Sequence, residues 1–178
     1  QPLPRGNRFG MVTYTGALAV LAADEGAEYG LTTARLAPDT ARRFDEMFPG
    51  LGNIPVDLGP MIPTIKDFST VYSGIIEAVM EDDNVDCFFN VLWQDAHNNN
   101  QKAYVEAYEK LRDGHSQKPV VTWIYGPSSD TVRDLTERIE DLGFPVFAEP
   151  ERCIKALGLA YQYARRRGLT KEGHNFNA

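Results

Sequence analysis

Cysteine and histidine are scarce, with two of the former and three of the latter among 178 residues. Cys87 lies in an apolar run and Cys153 in a helical stretch, so the pair forms neither a disulfide framework nor a metal-ligand spacing. Positive charge is also lacking: 18 Lys and Arg face 25 Asp and Glu, for a net charge of -7. A chain with that balance has no field to gather phosphates in bulk, which argues against a nucleic-acid partner. The one dense basic run, Arg165-Arg166-Arg167, reads as a solvated helix end that suits the helix dipole. No apolar stretch reaches the roughly 18 residues of a membrane span, and no basic-then-apolar leader opens the chain. The expected setting is a reducing cytoplasm, away from membranes.

What is present is a core-forming composition, 43% hydrophobic, within the usual size of one domain. Residues 1–7 contain two prolines and read as a linker, residues 8–167 as the domain, and residues 168–178 as a polar tail. Short apolar runs alternate with segments of helical spacing. Strands are expected at Arg8 to Thr13, Leu31 to Leu36, Val85 to Leu92, Lys118 to Tyr125 and Phe144 to Phe147, with at most one more short strand at Val56 to Leu58. Helices are expected from Gly16 to Tyr29, Pro38 to about Phe48, about Asp67 to Glu81, Asn98 to Arg112, Thr131 to Leu142 and Pro150 to about Arg167. Gly30 and Gly143 stand where left-handed caps end helices, and Asp67, Ser69 and Ser128-Ser129-Asp130 where side chains start them. Strands joined by helical crossovers lie parallel, so the pattern is an α/β fold with an open sheet covered on both faces.

Ligands of such sheets collect at the carboxyl ends of the strands, where helix N-termini aim their N–H groups. Three loops qualify. The first, Tyr14-Thr15-Gly16-Ala17, combines hydroxyls with small residues. The second is Trp93-Gln94-Asp95, running on into Ala96-His97-Asn98, and the third is Tyr125-Gly126-Pro127-Ser128-Ser129. Thr15 serves equally as a helix cap and as part of a ligand-facing loop. His97 has the imidazole of a general base or a phosphoryl acceptor but sits among Asp95 and three asparagines, as an exposed loop histidine does. Asp82-Asp83 reads as a solvated turn. No Ser-His-Asp, paired-carboxylate or Cys-His set assembles, so no catalytic residue and no metal ligand is assigned.

The segments Pro2-Leu3-Pro4-Arg5-Gly6-Asn7-Arg8, Leu21-Ala22-Ala23-Asp24, Leu36-Ala37-Pro38-Asp39-Thr40 and Pro55-Val56-Asp57-Leu58 carry a further signal by their order. So do Asp83-Asn84-Val85-Asp86, Lys118-Pro119-Val120-Val121, Leu142 to Phe147, and Pro150 to Leu157. Together, over about the first 165 residues, they resemble the second flavodoxin-like domain of nucleoside-diphosphate-forming acyl-CoA synthetases, the succinyl-CoA synthetase superfamily. The resemblance implies a flavodoxin-like three-layer αβα fold with a mainly parallel five-stranded sheet. It implies a part in the reversible, phosphohistidine-dependent conversion of acyl-CoA, phosphate and nucleoside diphosphate into acid, CoA and triphosphate. The histidine is expected on another domain, and CoA, nucleotide and Mg are expected for the full enzyme, with no cofactor bound by this domain alone. Its implied partners are the CoA-binding, histidine-bearing and ATP-grasp domains or subunits. Tyr14, Thr15, Gly16 and Ala17 then form the phosphoryl- or acid-facing loop, and Trp93, Gln94 and Asp95 a second strand-end loop. Where the family carries several glycines this chain keeps Gly16, and the side chains of Tyr14 and Thr15 are expected to narrow the approach. Two other readings stand beside this one: a scaffold or regulatory domain that has lost the phosphoryl-facing glycines, and an FMN-binding module with Trp93 and Tyr125 flanking a flavin.

Overall fold

The structure, a computed structural model, describes residues 1–51, 56–95, 100–114 and 117–171. Its elements are β1 (Arg8–Thr13), α1 (Gly16–Glu28), β2 (Thr32–Thr33), α2 (Pro38–Met47), β3 (Val56–Asp57) and a 3-10 turn (Ile62–Thr64). Then follow α3 (Phe68–Glu81), β4 (Cys87–Trp93), α4 (Asn100–Asp113), β5 (Val120–Tyr125), α5 (Ser129–Asp141), β6 (Val146–Phe147) and α6 (Pro150–Arg166). Side chains start three of the helices: Thr15, Asp67 and Ser128 each accept a bond from a first-turn N–H, at Ala17, Thr70 and Thr131.

All pairings are parallel, and the five expected strands run in the order β2-β1-β4-β5-β6. The sixth, β3, sits off that path. Arg8 and Phe9 of β1 pair with β2, whereas Val12 and Thr13 pair with Val56 and Asp57 of β3, so two short strands share one edge of β1. The second strand is shorter than Leu31 to Leu36 because the chain turns out of the sheet after Ala34, whose N–H still reaches Phe9 O, and Ala37 N donates instead to the Asp82 carboxylate. The last strand is shortened at its start by Pro145, which has no N–H to give.

Right-handed crossovers send α1 to one face on the way from β1 out to β2, and α3, α4 and α5 to the other on the way back through β4, β5 and β6. The packing follows: α1 lies against α6, while α2, α3, α4 and α5 touch in series. A two-helix layer and a four-helix layer thus enclose the sheet, and Phe9, Val12, Phe88, Phe89, Val91 and Leu92 fill its centre. Asn90 in mid-β4 donates through Nδ2 to the hydroxyls of Tyr72 (2.7 Å) and Tyr108 (2.9 Å), and Tyr108 also bonds Thr122 Oγ1 at 2.5 Å. This buried polar link ties α3 and α4 to one register of the sheet.

At the amino end of the sheet the Asp86 carboxylate, 2% exposed, is held by Arg8 Nε at 2.8 Å, by Arg8 N at 3.2 Å and by Lys171 Nζ at 3.2 Å. Lys171 N also donates to Arg5 O at 2.7 Å, which joins the last described residue to the segment before β1. Burial alone would raise the Asp86 pKa, but the bonds from Arg8 and Lys171 outweigh it and hold the carboxyl below its usual range.

Both thiols are buried, and burial pushes Cys87 upward and Cys153 up to about 12. Because the thiolate is the reactive form, neither should react with Ellman's reagent at pH 8 until denaturant is added. A thiol that titrates promptly in native buffer would contradict that packing. Among the described residues, no helix is long and apolar enough to cross a membrane.

Candidate functional site

Strands β1 and β4 are neighbours, yet the chain leaves β1 toward β2 and leaves β4 toward β5. That divergence opens a crevice at their carboxyl ends, the topological switch point of a doubly wound sheet. Two of the loops singled out in the sequence flank it, one after Thr13 and the other after Trp93, which is the last residue of β4 and not a loop residue as expected, because it still pairs in register with Tyr125. The third begins at Tyr125 and abuts the second, since Gln94 N donates to Tyr125 O at 2.9 Å.

In the first loop Thr15 is extended (φ -160°, ψ 133°) and its side chain accepts from Ala17 N at 3.4 Å, while Gly16 and Ala17 lie exposed at the start of α1. The N-terminal amides of α1 therefore open to the surface, with the positive end of the helix dipole behind them. Tyr14 does not stand over this opening. Its ring is turned into the core on the α4 side, and its hydroxyl lies 2.7 Å from that of Tyr104, which donates on to Trp93 O at 3.0 Å. Burial pushes the Tyr14 phenol well above its ordinary pKa, so it stays neutral. The side chain left to narrow the loop is Thr15.

At the second strand end Trp93 is half-buried and Gln94 is buried, its Oε1 without a hydrogen-bond partner among the described residues. Asp95 is half-buried. Residues 96–99, which include His97, lie outside the described residues, as do His115 and His174.

The structure adds residues that the sequence reading did not assign to the site. Asp57 pairs in register with Thr13; its Oδ1 accepts Gly59 N at 2.9 Å, and its Oδ2 lies 3.9 Å from where a Cβ on Gly16 would be. A carboxylate thus faces the start of α1, and after burial its charge is the second cause raising the Tyr125 pKa. Gly59 brings its own backbone onto the first loop: a Cβ there would stand 2.2 Å from Tyr14 O. The signal available in the sequence was Asp57-Leu58-Gly59, the spacing of an Asx turn.

Tyr14, Gly59, Ile62, Trp93 and Tyr125 line a cavity of about 280 Å³ at these strand ends. A larger groove of about 740 Å³ runs between α3 and α4, but its lining of Ser69, Ser73, Glu77, Glu106 and Glu109 belongs to the outer side of the helix layer. The smaller cavity has the chemistry of a ligand mouth, apolar with a few polar groups at its edge. Among the described residues that line it, none is cationic. Among the described residues, no three His, Cys, Asp or Glu side chains converge to hold a metal. Trp93 and Tyr125 pack edge to face with centroids 4.8 Å apart, and Tyr125 stacks on Trp123 at 4.6 Å and 4°. With the first two rings touching each other, a flavin has no slot between them.

Replacing Thr15 should change stability little: alanine removes a long cap bond and should cost under about 1 kcal/mol, glycine a few tenths. A urea midpoint falling by much more would show that Thr15 holds the loop in some other way.

No family model matches this chain. It is 32% identical to the ADP-forming acetate–CoA ligase II of Archaeoglobus fulgidus over 169 residues, 94% of this chain and 24% of that protein. It is 27% identical to the alpha subunit of the ADP-forming acetate–CoA ligase II of Pyrococcus furiosus, over 94% of this chain and 36% of the subunit. Among solved structures, a protein of Pyrococcus horikoshii superposes with a TM-score of 0.76 at 23% identity, covering 93% of this chain and 37% of that one. The dinucleotide-forming acetyl-coenzyme A synthetase 1 of Candidatus Korarchaeum cryptofilum, solved with phosphate and ADP, superposes with a TM-score of 0.73 at 22% identity over 97% of this chain and 36% of its own. The structural likenesses show the fold. The chain spans about a quarter to about a third of the length of the relatives it matches.

Proposed function

We infer that this chain, a succinyl-CoA synthetase-like flavodoxin domain of the ADP-forming acyl-CoA synthetases, helps to form the phosphoryl or acid site of a larger synthetase and does not complete the reaction alone. The carrying observation is the alignment of nearly the whole chain with one part of an acetate–CoA ligase, with the first loop and the exposed start of α1 at the switch point of the fold. The physics suits that role. The positive end of a helix dipole stabilises charge on a transferring phosphoryl group without covalent chemistry. The described residues that line the mouth include no lysine or arginine to grip a nucleotide, which suits a division of labour in which CoA, nucleotide and Mg are held elsewhere in the enzyme and the phosphohistidine comes from a neighbouring domain.

The test is ATP formation from acyl-CoA, ADP and phosphate by the full-length protein, compared with this chain alone. Activity in the first and none in the second is expected. A full-length protein that makes no ATP from any acyl-CoA tested removes the assignment, and turnover by the chain alone removes its incompleteness.

Asp57 favours a second reading, a scaffold or regulatory domain, because a carboxylate beside the start of α1 repels an incoming anion. Thr15→Gly in the full-length enzyme separates the two. If the loop meets the phosphoryl group, kcat or KM shifts while the melting temperature holds; an idle loop leaves both unchanged.

A further inference from the structure

We propose that the outer face of the α1–α6 layer is the seat of a further folded domain of the same synthetase, a domain that presents an apolar patch with acidic groups at one rim. This rests on the synthetase reading. The large apolar side chains that are mostly exposed among the described residues are Val20 (63%), Leu159 (49%), Tyr163 (55%) and Leu169 (50%). One is on α1, two are a turn apart on α6, and one is in the turn that follows α6. None is on α2 to α5. Single exposed apolar residues need no explanation, but their confinement to one layer does.

The sequence of α1 says the same independently. In Gly-Ala-Leu-Ala-Val-Leu-Ala-Ala-Asp-Glu-Gly-Ala-Glu the inward positions are Leu18, Ala19, Ala22 and Gly26, yet the outward ones are Gly16, Ala17, Val20, Asp24, Ala27 and Glu28. Through its first two turns the helix is apolar on all sides, the composition of a helix covered on all sides. By contrast α5, in the other layer, shows water Asp130, Arg133, Asp134, Glu137 and Glu140.

Two further observations choose the occupant. The relatives are about three to four times as long as the aligned segment, so in them other domains stand beside this one. The apolar start of α1 is also continuous with the candidate site, since Gly16 and Ala17 precede Val20 on one surface and the half-exposed rings of Trp123 and Tyr125 belong to the same side of the sheet. A domain seated there reaches the first loop. At the far end, exposed Arg165, Arg166 and Arg167 follow Tyr163 in a chain that is otherwise acidic, which sets the sign of the rim.

Hydroxyl-radical footprinting of Leu159 and Tyr163 in this chain and in the full-length synthetase tests the proposal, with ATP formation measured on the same full-length sample. Oxidation of both should slow severalfold in the full-length protein. Val20→Glu combined with Tyr163→Glu should restore the rate at Leu159 and lower ATP formation, while leaving the melting temperature of this chain unchanged. Equal oxidation rates in the two proteins would overturn the proposal. So would a dimer of this chain, seen by sedimentation, that already protects both residues, because the occupant would then be a second copy. Protection without any ATP formation would instead keep the docking face and discard the synthetase reading.

Discussion

Gly126→Ala is expected to destabilise the chain by about 3 kcal/mol, the upper part of the range for forcing an atom into a packed site. A Cβ at Gly126 would stand 1.9 Å from Gln94 O and 2.9 Å from its carbonyl carbon, so it meets backbone and not the end of a flexible side chain. To make room, the ends of β4 and β5 must separate at the point where Gln94 N bonds Tyr125 O. In a chain of this size the loss corresponds to a melting temperature lower by about 6–12 °C. Gly143→Ala is the control. That glycine is left-handed (φ 88°) but has no atom within 4 Å of its would-be Cβ, so alanine there should cost only about 1 kcal/mol of backbone strain. If urea melts show Gly126→Ala to be as stable as wild type, or milder than Gly143→Ala, the close approach of the two strand-end loops is wrong.

Asp86→Asn should cost about 2 kcal/mol at neutral pH. Removing one partner of a fully buried ion pair costs more, but Arg8 and Lys171 are 34% and 54% exposed at the side chain and can turn to water. The pH dependence follows from the direction of the shift. The Asp86 carboxyl is lowered in the folded state, so its contribution is present above the ordinary value of 3.8 and disappears as pH falls through the folded-state pKa below it. The gap in melting temperature between wild type and Asp86→Asn should therefore be constant from pH 7 to about 5 and close once the pH lies below the folded-state pKa, itself under 3.8. A gap of the same size at that low pH would mean that shape, not charge, matters at Asp86.

The strands that were plainest in the sequence are those whose neighbours lie on both sides. β1, β4 and β5 lie inside the sheet and read as largely apolar runs, interrupted by Asn90 in β4 and Thr122 in β5, and the helices from Pro38 and Pro150 are marked by proline at their starts. The edge strands were harder. At Leu31 to Leu36 the apolar pattern continues for reasons of helix and loop packing after the ladder has ended at Thr33, and the turn at Ile62–Thr64 lay hidden in a stretch rich in Pro and Gly. The loops of the site were legible because α/β alternation fixes which ends of the strands carry loops into helices. Their interior was not. Nothing local to Tyr14 shows that its hydroxyl pairs with Tyr104, ninety residues on, or that Asp57 comes to face Gly16 through a two-residue strand. Such contacts are properties of strand order, which the pattern of any one segment does not contain.

Trp93 and Trp123 are the only two tryptophans of the chain, and the parallel register places them on adjacent strands, each against the ring of Tyr125. The intrinsic emission of the protein therefore originates almost entirely beside the candidate site. Any molecule or domain that enters the mouth, or pulls Tyr125 aside, alters the polarity around at least one indole and is visible as a change in fluorescence without a label. The chain carries its own optical reporter at the place where its function has to be looked for.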